Sequence, residues 1–189
     1  MPNTQVLTLG EVRATFEQRI KKWQDLYSLD FDQMVLVARY FKYSEAQLPV
    51  WFDQQDTLKF TIGLEFDPGL KVITPEDATL CPICFDPLDN FAFALVCGHT
   101  FCRDCWQHHL RSSIDPQSKI NACEANCAQD GCNVMMTHQG FLHLLSDDLV
   151  WQNTYWTNLV RQFSESDKSF RWCARKDCEH CFYVKTLSE

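Results

Sequence analysis

All eleven cysteines of this 189-residue chain fall between Cys81 and Cys181. An odd number of thiols cannot close into a complete set of internal disulfides. The start, MPNTQVLTLGEVR, has no basic head followed by an apolar stretch, so no secretory signal is expected. That points to a cytoplasmic or nuclear protein in a reducing compartment, where clustered thiols favour metal over disulfide. No apolar run approaches the roughly 18–20 residues that span a bilayer, so no membrane partner is expected. The net charge of −8 comes from 17 basic and 25 acidic residues. Splitting before Cys81 gives 8 and 12, then 9 and 13, so each part is −4 and neither carries a basic patch. Nucleic-acid binding is therefore not expected.

The spacing of the thiols is more specific than their number. CPIC supplies Cys81 and Cys84, and CGHTFCRDC supplies Cys97, His99, Cys102 and Cys105. CAQDGC then supplies Cys127 and Cys132. Eight such donors fill two closed tetrahedral zinc sites, and thiolate with imidazole suits zinc better than the hard cations. A Cys-x-x-Cys knuckle folds back so that both sulfurs reach one ion. Cys97 and His99 can do so only across a turning backbone, for which Gly98 supplies freedom, as Gly131 does before Cys132. A lone redox pair leaves the other pairs and the Cys-x-His unexplained. An iron–sulfur cluster calls for four thiolates with no interposed histidine. Cys123 and Cys127 could also chelate, which leaves the last pair open at this level.

The first 80 residues read as helical. Val12, Phe16, Ile20, Trp23 and Tyr27 make one apolar stripe at helical spacing. Asp30 is a plausible cap for a second helix over residues 31–41. Ser44 to Gln47 has capping-box spacing and predicts a third helix through Trp51 and Phe52, with a kink or early stop at Pro49. A small bundle burying Trp23, Val35, Leu48 and Trp51 is expected. The Phe66-Asp67-Pro68-Gly69 turn signal, with Pro75 and Glu76, marks a linker into the cysteine-rich part.

The order of the donors resembles the RING finger. That resemblance implies that Cys81, Cys84, Cys102 and Cys105 hold one zinc, and that Cys97, His99, Cys127 and Cys132 hold the other. It also leaves Cys123 spare. Within the RING fingers, CPICFDPL, CGHTFCRDCW and CAQDGCNVMM look like the first RING of the RING-between-RING ubiquitin ligases, ariadne branch. TYWTNLVRQFSESDKSFRWCARKDCEHCFYVK resembles the opening of the in-between-RING domain, with a helix near Leu149 to Phe163 and ligands at Cys173 and Cys178. RYFKYSEAQL…WFD is similar to the ubiquitin-associated-like region of ariadne proteins.

The implied fold is a small zinc-stabilised α+β chain in four parts. Residues 1–78 form a helical ubiquitin-associated-like region, and 79–136 a cross-brace RING finger. Residues 137–165 form connecting helices, and 166–189 an incomplete in-between-RING domain. The implied cofactor is zinc, two ions in the RING with a third site left incomplete. The implied function is that of an E3 ubiquitin ligase recruiting a ubiquitin-charged conjugating enzyme, with ubiquitin and a protein substrate as further partners. Ile83, inside the first knuckle, and Trp106, on the central helix, are the expected contacts. Asn133 follows the last RING ligand where many RING ligases carry a basic residue, and its lack is usual for the RING-between-RING group. The second RING and its catalytic cysteine are expected outside these 189 residues, so no catalytic residue is assigned. Cys181 is expected to be spare or an occasional third ligand, and the stub after Cys173 is expected to be loose or to depend on a partner. The alternative is a non-catalytic zinc adaptor that docks a conjugating enzyme or ubiquitin.

Overall fold

The computed structural model describes residues 4–62, 71–72, 80–88, 92–117, 125–175 and 178–184. The expected linker signals at residues 66–69 and 75–76, and Cys123, lie outside them. In chain order the elements are β1 (Thr4–Leu7), α1 (Leu9–Tyr27), α2 (Phe31–Tyr40), α3 (Leu48–Ile62), β2 (Lys71–Val72), β3 (Phe93–Ala94), β4 (Thr100–Phe101), α4 (Arg103–Ile114), α5 (His138–Leu144), α6 (Leu149–Ser166), β5 (Phe170–Trp172) and β6 (Cys181–Val184). No helix among the described residues is long and apolar enough to cross a membrane.

Helix α1 buries the stripe Val12, Phe16, Ile20 and Trp23. Thr8 caps it, accepting from the Glu11 amide while the Glu11 carboxylate accepts from the Thr8 amide at 2.7 Å. Asp30 caps α2 in the same way through Gln33. Every residue from Met34 to Arg39 is buried, so α2 is the central helix rather than a one-faced one. Val35, Leu48 and Trp51 are buried as expected.

The third helix departs from expectation. Ser44 to Gln47 forms a turn in which the Gln47 and Leu48 amides both donate to the Ser44 carbonyl. The helix starts at Leu48, which puts Pro49 in its first turn, where a missing amide costs nothing. The break comes instead at Gln54, whose φ of −121° and ψ of 17° are not helical.

Helix α1 packs on α2 and α6, α2 on α3 and α5, and α4 on α5 and α6. One apolar core runs through all of them. Phe163 of α6 joins the parts, with Phe16 at 5.4 Å, Tyr43 at 5.8 Å and Phe170 at 5.8 Å between ring centroids. A buried polar clasp adds direction to the α2–α5 contact. Asp32 accepts from the Gln139 amide at 2.6 Å in the first turn of α5, and Arg39 donates to the Met136 carbonyl at 2.7 Å.

Two three-stranded sheets complete the fold, β2-β3-β4 and β1-β6-β5, all pairs antiparallel. The second corrects two expectations. Residues 4–7 are not helical; they form a strand whose Leu7 lies opposite Cys181 and Thr4 opposite Val184. Within the segment after Cys173, Cys181–Val184 are not left loose, because β1 pairs with one edge of β6 and β5 with the other. Neither strand has a strong pattern alone. Their stability comes from pairing across more than 170 residues of sequence.

Candidate metal centre

The first group of donors comes from the first knuckle and the start of α4. Cys102 is the N-cap of α4, and its sulfur accepts from the Cys105 amide at 3.5 Å. The same helix start therefore aims both thiols at one point. The knuckle closes through the Phe85 amide on the Cys81 carbonyl and the Cys81 amide on the Asp86 carbonyl. Ligand atoms of Cys81, Cys84, Cys102 and Cys105 all lie within 4.8 Å of one another, with Cys84 and Cys102 sulfurs 3.7 Å apart.

The second group joins the β3–β4 turn to a loop after α4. Gly98, between Cys97 and His99, has φ of 76°, and Gly131, before Cys132, has φ of 74°. These are left-handed backbones that favour glycine, at the two positions where the spacing asks for a sharp reversal. The Cys127 amide donates to the Val134 carbonyl and the Met136 amide to the Ala125 carbonyl, which pins the loop as a hairpin. Cys97, His99, Cys127 and Cys132 lie within 4.8 Å of one another, and the His99 Nδ1 is 3.7 Å from the Cys127 sulfur.

Zinc–sulfur arms of about 2.3 Å at tetrahedral angles put neighbouring sulfurs about 3.8 Å apart. The observed 3.7 Å between the Cys84 and Cys102 sulfurs fits that edge. The electrostatics agree. Burial, with the Cys97 thiol alongside, pushes Cys127 up to about 12. Burial and its hydrogen bonds with Cys102, Cys84 and Cys81 push Cys105 well above the ordinary thiol range. For Cys81 burial works the same way, but the amides of Cys102, Cys84 and Ile83 outweigh it and bring the thiol down to about 6. Four thiolates packed this closely repel, and a dication is the charge the set calls for. None of the ten described cysteines is in a disulfide. The two groups alternate along the chain, so each holds segments that flank the other.

Cys173 and Cys178 lie between β5 and β6. The Cys173 amide donates to the His180 carbonyl at 3.0 Å, and the Cys178 sulfur is 3.6 Å from the His180 Nδ1. Among the described residues, no third donor joins them within the close spacing of the other two groups. Cys181 does not join either. It is fully buried in β6, opposite Leu7 and Trp172, because strand alternation turns it into the core.

The contact residues separate. Ile83 is 48% exposed, but Trp106 is fully buried, its indole donating to the Phe93 carbonyl at 2.9 Å. Trp106 is thus a core residue rather than a surface contact, because it shares the buried face of α4 with Leu110 and Ile114. The opposite face of α4 carries Asp104, His108 and Ser112, at helical spacing. Together with Ile83, Asp86 and Ala128, those residues line a groove of about 410 Å³ beside the first group. That face was legible in the sequence as the polar complement of the Trp106–Leu110 stripe.

Residues 81–119 match the RING-type zinc-finger family. Similar proteins include E3 ubiquitin-protein ligase dbl4 of Schizosaccharomyces pombe, 25% identical over 92% of this chain and 34% of its own length. Another is E3 ubiquitin-protein ligase ariadne-1 of Drosophila melanogaster, 27% identical over 95% of this chain and 37% of its own. The Xenopus tropicalis E3 ubiquitin-protein ligase arih1 is 28% identical over 56% of this chain and 20% of its own. Over most of its length the chain is similar to ubiquitin ligases of the ariadne type. It spans about a third of the length of dbl4 and ariadne-1. The chain carries a RING-type finger, two groups of donors compatible with zinc and a mixed helix-and-sheet fold.

Proposed function

We propose that this chain docks a ubiquitin-charged conjugating enzyme through its finger, as part of a RING-between-RING ubiquitin ligase. The observation that carries this is the groove between the first knuckle and α4, with the half-exposed Ile83 on one wall and Asp104 and His108 on the other. Its walls come from segments that the two cysteine groups tie together, so metal binding would set the groove's shape. Cys81, Cys84, Cys102 and Cys105 would hold one zinc in a cross-brace, and Cys97, His99, Cys127 and Cys132 a second. Zinc would supply fixed positive charge for the thiolates and a rigid strut, with no reacting role. Cys173 and Cys178 would begin a third site. We read the four parts as residues 1–78, 79–136, 137–165 and 166–189, with the last two held to the first by α6 and β1. A cytoplasmic or nuclear setting goes with this reading.

On these residues we assign docking and no transfer step: the thiols of the two groups would be zinc ligands, and Cys178, beside His180 at 3.6 Å, would begin a third site with Cys173. Cys181 is buried, and burial raises its thiol.

The test is binding of the zinc-loaded chain to a conjugating enzyme carrying stably linked ubiquitin. Ile83→Ala should weaken it about tenfold without releasing zinc, as expected for an apolar anchor. Unchanged binding would place the docking surface elsewhere. Metal analysis should find two firmly held zincs per chain and a sub-stoichiometric extra amount. Ubiquitin trapped as a thioester on a cysteine of this chain would overturn the docking-only assignment.

A further inference from the structure

Two opposite charges are buried on one helix outside the finger. Asp32 is 3% exposed and Arg39 2%. They lie about two turns apart along α2, and so on the same side of it. A charge taken out of water is costly unless its partners are in place. Here both charges reach the same short stretch of backbone. The Asp32 carboxylate accepts from the Gln139 amide at 2.6 Å, and the Arg39 guanidinium donates to the Met136 carbonyl at 2.7 Å. Apolar residues of similar volume would pack there at lower cost, but they would leave the stretch 136–139 free to slide along α2.

That stretch begins at the base of the hairpin bearing half of the second donor group. The Met136 amide donates to the Ala125 carbonyl, while its own carbonyl takes Arg39. Next along the hairpin, Asn126 lies opposite Met135, and the Cys127 amide donates to the Val134 carbonyl. Cys132 lies between the two arms, its amide donating to the Gln129 carbonyl. His109 of α4 reaches the Asn126 carbonyl at 2.9 Å, so α4 holds one arm and α2 the other. The first group is placed differently. Cys102 and Cys105 come from the start of α4, and the first knuckle closes through its own amides. One group is set within the finger; the other takes an anchor from the helical region.

We infer that Arg39 is a positioning residue for the second metal group. It fixes the Met136 end of the Cys127–Cys132 hairpin, so that α2 sets how tightly the second ion is held. Its action runs through the Met136 backbone to the hairpin, as an outer partner orients the ligands it supports. Asp32 pins the residues just beyond, so a shift of 136–139 does not relieve the grip. The inference rests on the reading that this group holds zinc.

The test is a chelator challenge of the zinc-loaded full chain, with freed thiols alkylated and read peptide by peptide. In Arg39→Met, Cys97, Cys127 and Cys132 should label about 10–100-fold faster, the range for loss of an outer partner. Cys81, Cys84, Cys102 and Cys105 should keep their rates in the same sample. Arg39→Lys retains a charged donor, so its second-group rates should fall between those of Arg39→Met and the unaltered chain. Where Arg39→Met does not fold, Arg39→Lys decides by the same selective acceleration. Phe163→Ala controls for general instability, and should leave the ratio of rates between the two groups where it is. Equal acceleration of both groups, an unchanged second group, or the same shifted ratio in Phe163→Ala would overturn the inference. Second-group thiols that label at once in the unaltered chain without chelator would sink the zinc reading, and the inference with it.

Discussion

Between residues 80 and 136 the described chain has strands of two residues each and one helix, whereas residues 9–40 and 138–166 are nearly all helix. The helical region buries Phe16, Ile20, Trp23, Met34, Tyr155 and Phe163 almost completely. The finger shares that core through one face of α4, residues of β3 and β4, and loop residues such as Leu88, Leu95, Ala125 and Met136. Elsewhere its loops are pinned by single backbone hydrogen bonds and by eight converging donors. One region stands on apolar burial, and the other brings together thiols whose charge a bound ion would neutralise. Each therefore has its own point of failure, and the polar clasp from α2 to residues 136–139 is where one failure could reach the other.

The largest expected effect is chelation. Structural zinc contributes on the order of 10 kcal/mol per site, so its removal should abolish amide protection across residues 81–136. Protection of α1 and α2 amides should survive, as hydrogen exchange would read. Equal loss in both regions would mean that the helices have no independent stability. Phe163→Ala is the converse, emptying the join between α1 and α6. It should cost about 3–5 kcal/mol in urea unfolding while zinc content stays at two per folded chain. Loss of zinc in the folded fraction would erase the distinction between the regions.

The clasp gives a smaller, pH-dependent effect. Burial raises Asp32 to about 6 and lowers His138 to about 4. The raised carboxyl binds more protons folded than unfolded, so its contribution falls as pH rises from about 4 to 6. The lowered imidazole binds fewer, so its contribution rises from about 4 to 6.5. The two oppose each other over most of that window. Asp32→Asn should leave the His138 slope exposed, so stability rises with pH by on the order of 1–2 kcal/mol more than in the unaltered chain. Urea midpoints at matched zinc load would measure it, and identical slopes would separate the clasp from folding. Smallest is Thr8→Ala, which removes the cap of α1 next to β1. It should lower stability by about 1 kcal/mol and speed exchange in the first turn of α1 and in β6, without moving the finger.

Features fixed by short-range chemistry were legible in the sequence. The 12-16-20-23 stripe gave α1, Asp30 gave the start of α2, and the glycines at 98 and 131 marked the reversals that the fold contains. The two sets of four donors implied by the RING resemblance are the two sets that converge. What failed was decided at long range. Pro49 suggested a break because the capping signal at Ser44 started the helix too early, and the turn at 44–47 moved the start past it. Trp106 suggested a contact because an aromatic on a recognition helix has two faces available, and packing against Phe93 and Phe101 chose the buried one.

Composition and spacing by themselves pointed to metal sites rather than disulfides, and to helices preceding the finger. Ligand spacing does so because a metal site is a local geometric demand, met within a few residues of each donor pair. Only the tertiary structure decided that the N-terminal strand joins the strand bearing Cys181, which face of α4 is buried, and that α2 clasps the end of the finger. Those contacts join residues tens to more than 170 positions apart, where burial and pairing geometry outweigh any pattern that a short segment can carry.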